Sequence, residues 1–510
     1  MRSFIYIVLF WGIVQCSCWA KANNEIEVYN NIYHKISIGE TADAIKLCKK
    51  QIKKDKKNTT WPYLLSQAYL TQGDYTLGIE TLSKLPPSRD VLHLMKNCIV
   101  ADSLTKNPLP YSPRYMGDSL NTAFNNIWPT LTPTEDVLFT TVASNYQEDI
   151  YYSLPLGNEK WSKAKPLPEP LNTDENEGSQ CFSADGKYMF MVRCNQRDGM
   201  GSCDIYYCIK TVNGWTKPIN AGKVVNSRLW ESTPSVSADF STLYFSSNQK
   251  PNLGGKDIFK VNILVHRNGL LEFSQLENLG EKINTFYDET APFIHPDGQT
   301  LYFSSQGHES MGGLDVFLSR KDSTGWSKPI NMGYPLNSVR DDFGFCTNLS
   351  GEKGYISAIK ENSTNMVIYE VSIPKSMRPL PTLLSRNNGT LEFSPISAGK
   401  SIVLNNILFE FNDYKLVENS ITELNKLSEI LLDSPELKVS ICGHTDSIGS
   451  AEYNQILSMK RAISVSEYLK SKGVSTDRIN CIGYGNTRPI LPNTTEENRA
   501  KNRRIEILIF

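Results

Sequence analysis

The stretch Phe293-Ile294-His295-Pro296-Asp297-Gly298-Gln299-Thr300-Leu301-Tyr302-Phe303-Ser304-Ser305 decides the reading of the middle of the chain. Two short runs rich in β-branched and aromatic residues flank an Asp-Gly pair, the turn chemistry that joins antiparallel strands. The pattern recurs at Cys181-Phe182-Ser183-Ala184-Asp185-Gly186-Lys187-Tyr188-Met189-Phe190 and, with Asp239-Phe240 at the turn, over residues 235–247. Each copy leads into a second signature: Gly201-Ser202-Cys203-Asp204-Ile205-Tyr206, Gly254-Gly255-Lys256-Asp257-Ile258-Phe259 and Gly312-Gly313-Leu314-Asp315-Val316-Phe317. Weaker copies span 129–152, ending Glu148-Asp149-Ile150-Tyr151, and 343–371. A third element recurs between copies, as in Gly214-Trp215-Thr216-Lys217-Pro218-Ile219-Asn220 and Gly325-Trp326-Ser327-Lys328-Pro329-Ile330-Asn331.

A single small sheet of this kind cannot bury both of its faces. Repeats of about fifty residues therefore pack face to face around an axis, and residues 116–373 are expected to form an all-β propeller. The copies resemble WD40-like repeats. Five are counted, and the flanks leave a sixth open. Asp149, Asp204, Asp257 and Asp315 occur once per repeat at one position, as turn-capping carboxylates do. There is no Gly-x-Ser-x-Gly, and His266, His295 and His308 stand beside no nucleophile motif, so no enzyme is expected. A binding surface for proteins or peptides is the reading preferred. A ligand sensor or hydrolase is the alternative, and convergent His, Ser or carboxylate groups on the propeller axis would favour it.

Upstream, residues 26–103 carry a helical period. Ile38-Gly39-Glu40-Thr41-Ala42-Asp43-Ala44-Ile45 returns 34 residues on as Gln72-Gly73-Asp74-Tyr75-Thr76-Leu77-Gly78-Ile79, with Leu65, Ala68 and Tyr69 in the preceding helix. The period and the Gly turns resemble the tetratricopeptide repeat. A peptide-binding groove and a helical cap on the next domain both fit. Residues 104–115 are Pro-rich and read as a linker. At the start, Met1-Arg2-Ser3 and an apolar run over 4–14 read as a secretory signal of residues 1–20, too short to span a bilayer. Cleavage after Ala20 fits, and so does lipidation at Cys16 or Cys18, which would give an N-terminal lipid anchor.

The chain has 510 residues and a formal net charge of −1, which argues against a nucleic-acid partner. No Cys-x-x-Cys and no His cluster accompany the cysteines, so neither a metal nor another cofactor is expected. Export permits disulfides, for which Cys181/Cys194 and Cys203/Cys208 are candidates, and buried thiols are the other reading.

Residues 374–398 are rich in Pro, Ser and Asn and read as a second linker. From 399 to 510 the pattern is α/β (βαβαβ). Strands are expected at 402–411, 437–443, 478–484 and 504–509, with helices at 417–432 and 451–472. The motifs are Gly443-His444-Thr445-Asp446-Ser447-Ile448-Gly449, then Tyr453-Asn454, Leu457-Ser458 and Lys460-Arg461-Ala462, then Ile482-Gly483-Tyr484-Gly485 and Asn498-Arg499-Ala500-Lys501-Asn502-Arg503-Arg504-Ile505-Glu506-Ile507. These resemble the OmpA C-terminal family, which includes peptidoglycan-associated lipoprotein and flagellar-stator subunits. The resemblance implies non-covalent binding of peptidoglycan through the diaminopimelate of its stem peptide. The far end of that residue bears an ammonium and a carboxylate on one carbon. Asp446 suits the ammonium, and Arg461 suits the carboxylate with its fork of donors. Asn454, Ser458 and Arg461 share one helix face. By the same resemblance Asn412, Thr445, Asn454, Asn502 and Arg503 add contacts.

The whole is then a multidomain, periplasmic, outer-membrane-associated scaffold whose partners are peptidoglycan and other envelope proteins. The three-part order resembles Bacteroidetes envelope proteins that include a component of the type IX secretion apparatus. That relative has a further small β-domain before its anchor, and 374–398 is too short to contain one.

Overall fold

The computed structural model describes residues 19–509 apart from 133–134, 136, 145–146, 158, 361–362, 381, 388–389, 396–400, 405–415, 417, 434 and 436. Most of the expected signal, and Asn412, lie outside the described residues. The chain divides into two compact units, one of residues 1–295 with 299–379 and one of 296–298 with 380–510.

The first unit opens with five helices: α1 (Trp19–Ile38), α2 (Thr41–Lys54), α3 (Thr60–Gln72), α4 (Tyr75–Leu82) and α5 (Arg89–Lys106). Gly39 and Gly73 end α1 and α3 with φ of 85° and 91°, a left-handed conformation that a side chain disfavours. At both ends the closing bonds are the same in kind: Glu40 N–H to Lys35 O at 2.8 Å and Asp74 N–H to Tyr69 O at 2.9 Å. The 34-residue repeat is thus a pair of helical hairpins. Each helix packs on the next, and α1 and α5 also touch α3. Ile32, Ala44, Cys48, Leu64 and Ala68 make the apolar seam, where small residues let the helices approach.

A short helix, α6 (Gly117–Leu120), and then five antiparallel sheets follow, one sheet per sequence copy. The first has strands Asn125–Leu131, Leu138–Ala143 and Glu148–Ser153. The second has Asn176–Phe182, Tyr188–Cys194 and Cys203–Thr211; the third Glu231–Val236, Thr242–Ser247 and Asp257–Val265. The fourth has Glu289–Ile294, Thr300–Ser305 and Asp315–Asp322; the fifth Phe343–Thr347, Lys353–Ile359 and Met366–Ser372. The Trp-containing element supplies outer pairings such as Tyr206↔Asn220 and Phe317↔Asn331. The third sheet instead has a longer fourth strand, Leu271–Asn278. The linker expected at 104–115 is shorter than that. Helix α5 runs to Lys106, and Arg114–Tyr115 pairs with Glu370 and Tyr369 as the outer strand of the fifth sheet. A two-residue strand has no period to read.

Apolar clusters join consecutive sheets. Phe139, Ile150, Met189 and Tyr206 lie between the first and second, and Phe190, Tyr207, Leu243 and Phe259 between the second and third. Ile258, Leu301 and Phe317 lie between the third and fourth, and Tyr302, Leu318, Phe345 and Ile356 between the fourth and fifth. Leu138, Tyr355 and Ile368 join the fifth sheet to the first. Burying one such aromatic or aliphatic side chain contributes about 1.5–3 kcal/mol, so the sheets depend on one another.

The cysteines correct the sequence reading. The disulfide is Cys194–Cys203, directly opposed across neighbouring strands, while Cys181 and Cys208 are buried thiols. Cys181 sits opposite Phe190, out of register with Cys194, and Cys203 and Cys208 share one strand.

The second unit begins where a linker was expected. Thr382–Asn387 and Thr390–Pro395 form an antiparallel hairpin. Its signal in the sequence is the Asn-Gly pair at 388–389 between two alternating runs, hidden by the surrounding Pro and Ser. Beyond it, a four-stranded sheet has the order Ser401–Leu404, Ile505–Ile509, Val439–Gly443, Ile479–Gly483. Only the last pair is parallel. Helix α7 (Glu418–Asp433) and helix α8 (Ala451–Ser471) pack with it around Leu424, Leu427, Ile441, Ala462, Val465, Ile505 and Ile507. A short helix, Glu496–Asn502, was not expected from the sequence.

Candidate functional site

The site lies where the strands Val439–Gly443 and Ile479–Gly483 end beneath α8. A Cβ on Gly443 would run into the Ser458 carbonyl, and one on Gly483 would meet the backbone at Met459. The bare backbones bring α8 against the strand ends. Ser458 Oγ then accepts the Gly485 N–H at 2.9 Å, and Gln455 donates to the Gly483 carbonyl at 2.6 Å.

Asp446 follows the first of these strands and is buried. It does not cap α8, a task done by Ser450, which accepts the Tyr453 N–H at 3.1 Å. One Asp446 oxygen accepts the Ile448 N–H at 2.9 Å. The other accepts Arg503 Nη1 at 2.6 Å, and Arg503 Nη2 donates to Glu496 at 2.8 Å. Each guanidinium edge thus holds one carboxylate; partial desolvation of the exposed Arg503 lowers its pKa, and the bonds to Asp446 and Glu496 outweigh that and leave it raised. Asn454, Ser458 and Arg461 are buried on one side of α8. Asn454 donates to the Ile448 carbonyl at 3.0 Å, which ties the turn holding Asp446 to the helix. Thr445 is fixed by its N–H to the Gly485 carbonyl at 2.9 Å and its hydroxyl to the Asp446 carbonyl at 3.1 Å.

Asn502 is fully buried and its amide is spent on the neighbouring loop. Its oxygen accepts the Ile490 and Leu491 N–H groups, and its nitrogen donates to the Leu491 carbonyl and to Asn493. Its place is under the site. A second cluster supports the strand ends. His444 is buried and stacked on Tyr484 at 5.2 Å, and Arg488 covers that ring at 3.9 Å. Glu506 lies 3.5 Å from His444 and 2.6 Å from Arg504, and hydrogen bonds from the His444 ring and the Arg504 guanidinium hold its carboxyl down at about 2 against the effect of burial.

Residues 408–503 match the OmpA family. Over 150 residues, covering 29% of this chain and 83% of the other, the sequence is 37% identical to a peptidoglycan-associated lipoprotein of Buchnera aphidicola. The chain belongs to the OmpA family. Its OmpA-family domain is also 41% identical over 101 residues to outer membrane porin F of Pseudomonas aeruginosa, covering 20% of this chain and 29% of the porin. It is 44% identical over 86 residues to the peptidoglycan-binding protein ArfA of Mycobacterium bovis, covering 17% of this chain and 26% of that one. The chain thus spans less than a third of the length of the last two relatives.

Of the residues singled out in the sequence, the OmpA-family domain brings Thr445, Asp446, Asn454, Ser458 and Gly485 into one bonded network, and places Arg503 on Asp446. Sequence reasoning missed Glu496, whose role depends on the helix Glu496–Asn502.

It also missed a device in the first unit. Before each sheet stands Asn-Ser/Thr-x-x-x-Glu/Asp/Asn: Asn121 to Asn126, Asn172 to Glu177, Asn226 to Glu231, Asn284 to Glu289 and Asn337 to Asp342. The first Asn clamps both backbone groups of a residue in the preceding sheet, within 2.7–3.1 Å in every case. The clamped residues are Ile150, Ile205, Ile258, Val316 and Ile368, the last held by Asn121. The last residue of the motif accepts the N–H of its Ser or Thr. The signature aspartates cap loops: Asp204, Asp257 and Asp315 accept the Met200, Leu253 and Met311 N–H groups at 2.7–2.9 Å. These buried carboxylates tie their own loops, and Asp257 and Asp315 also accept the side chains of Asn278 and Asn331 in the outer strands.

Proposed function

We propose that this protein is a non-enzymatic scaffold of the bacterial envelope. Its OmpA-family domain holds peptidoglycan non-covalently, and its helical and β regions dock other envelope proteins. The observation that carries the first half is the Asp446–Arg503 pair at 2.6 Å beside the buried α8 side that bears Arg461. A carbon bearing both ammonium and carboxylate, as at the far end of diaminopimelate, needs an anion and a cation a few ångströms apart. Their attraction is strong where water is largely excluded. Asp446 takes the ammonium, displacing Arg503 toward Glu496, and Arg461 takes the carboxylate with Arg503 alongside. Thr445, Asn454 and Asn412 add hydrogen bonds, and Asn502 holds the loop on which the site rests. The names of two relatives, a peptidoglycan-associated lipoprotein and a peptidoglycan-binding protein, support this chemistry.

The five sheets are read as the blades of a WD40-like β-propeller. Five apolar clusters and five Asn clamps, each joining a sheet to the next and the fifth to the first, are what closure demands. The helical hairpins are read as tetratricopeptide-like units. Exposure to the periplasm, beside the outer membrane, is supported by the signal-like N-terminus, the Cys194–Cys203 disulfide and the outer-membrane relatives. A role in type IX secretion rests on the resemblance in domain order alone.

The test is co-sedimentation of the purified chain with peptidoglycan sacculi. Asp446→Ala and Arg461→Ala are each expected to abolish it while circular dichroism stays unchanged. Undiminished sedimentation of both variants would overturn the site.

A further inference from the structure

Helix α5 lies across two loops of the β region. Arg89 covers the Phe286 ring at 3.6 Å, His93 stacks on Tyr287 at 4.1 Å, and Asn97 donates to the Gly312 carbonyl at 3.2 Å. These residues are four apart, so one helix stripe makes all three contacts. Met311, beside Gly312, is fully buried in the apolar cluster beneath Val91, Leu94 and Cys98.

The same two loops exist one repeat earlier. Leu253 matches Met311, because each gives its N–H to the signature aspartate four residues on. Leu229 matches Tyr287, because Ser227 bonds Glu231 as Thr285 bonds Glu289, and the carbonyls of Leu229 and Tyr287 accept the N–H of Ser202 and Gly255, which occupy one position in their repeats. Among the described residues of the first unit, no helix lies on top of these earlier loops. Leu253 is 41% exposed and Leu229 is 44% exposed, against 0% for Met311. Arg228, at the place of Phe286, is exposed as well.

We infer that Arg228, Leu229 and Leu253 receive an amphipathic helix of a partner protein, laid as α5 lies over the next repeat. The strip adjoins the surface that α5 covers, because Gly254, next to Leu253, lies so close to Phe286 that a Cβ there would strike its carbonyl, and Phe286 carries Arg89 of α5. Its chemistry names the occupant. Where α5 sets Arg89 on an aromatic ring, the partner helix sets a carboxylate on Arg228. One turn on, it sets an apolar residue on Leu229 in place of His93. Between them an apolar residue covers Leu253, and a side-chain donor one turn further reaches the Gly254 carbonyl. Two apolar anchors with an ion pair at the rim are the usual arrangement of a helix-binding strip.

The probe is a labelled synthetic peptide of the α5 sequence, Arg89 to Lys106, carrying Arg89→Glu and His93→Leu. It is titrated against the full chain by fluorescence anisotropy. Saturable binding is expected. Leu253→Asp in the protein should weaken it about tenfold or more. Arg228→Glu should weaken it too, and a peptide that keeps Arg89 should regain affinity for that variant. The charge-swap rescue is a readout that misfolding cannot produce. Absence of saturable binding, or binding that ignores both protein substitutions, would overturn the inference. Sedimentation velocity of the chain alone supplies the other arm: a dimer that Leu253→Asp dissociates would make the strip a contact between copies and overturn the partner helix.

Discussion

Glu289 is fully buried, and three bonds converge on its carboxyl: the Thr285 N–H at 2.6 Å, the Thr285 hydroxyl at 2.7 Å and the Ser305 hydroxyl at 2.6 Å. Burial still wins over these donors, with the charge of Asp257 adding to it, and pushes the group up to about 8 from its ordinary 4.5. Asp315 is pushed up to about 7 by burial in the same way. A carboxyl raised in the folded state gives stability that is complete below about pH 4.5 and fades as pH climbs toward 8. In that window the folded chain binds the extra proton, and each such group changes stability by at most about 1.4 kcal/mol per pH unit. The first unit should therefore lose stability between pH 5 and 9. Glu289→Gln, which stays neutral, should flatten that decline and be the more stable form at pH 9. Tryptophan fluorescence during thermal unfolding reads this cleanly, since all eight tryptophans precede residue 327. Equal slopes for the two proteins would show that Glu289 is ionised when folded.

At the scale of elements, the joints between sheets depend on single asparagines. Asn226 satisfies both the N–H and the carbonyl of Ile205, at 2.8 and 2.9 Å, in a site closed to water. Asn226→Ala leaves two buried backbone groups unpaired, at about 1–3 kcal/mol each. Asn121 does the same for Ile368 across the joint between the fifth sheet and the first. If that joint is equivalent to the others, Asn121→Ala should lower the urea midpoint by as much as Asn226→Ala. A much smaller effect would mean that the fifth sheet and the first are not locked together. The motif behind these clamps was readable in the sequence, because it recurs five times. It escaped notice because it sits in loops, where hydrophobic period carries no information. The strands and the helical hairpins were legible for the opposite reason: alternation, Asp-Gly turns and paired glycines are local signals. The disulfide was not, since strand register decides which cysteines face each other. Nor was Arg503 on Asp446, a contact between residues 57 apart in sequence that exists only once the sheet has formed.

The molecule as a whole has its peptidoglycan candidate site and its repeat sheets in separate compact units. The second unit has an apolar core of its own, built from α7, α8 and the sheet, and every bond described around Asp446 stays inside it. A domain that carries its own core and keeps its site's supports within it needs no other part of the chain to position that site. A fragment of residues 380–510 should therefore fold alone and sediment with peptidoglycan as the full chain does, and Asp446→Ala should abolish this in the fragment as in the whole protein. A fragment of residues 19–379 should stay in the supernatant. If the second unit folds by circular dichroism and does not sediment, the site draws on groups outside it, and the two-charge arrangement around Asp446 is insufficient. If the first fragment sediments, the β region itself meets the wall, and the division of labour proposed for the two units is wrong.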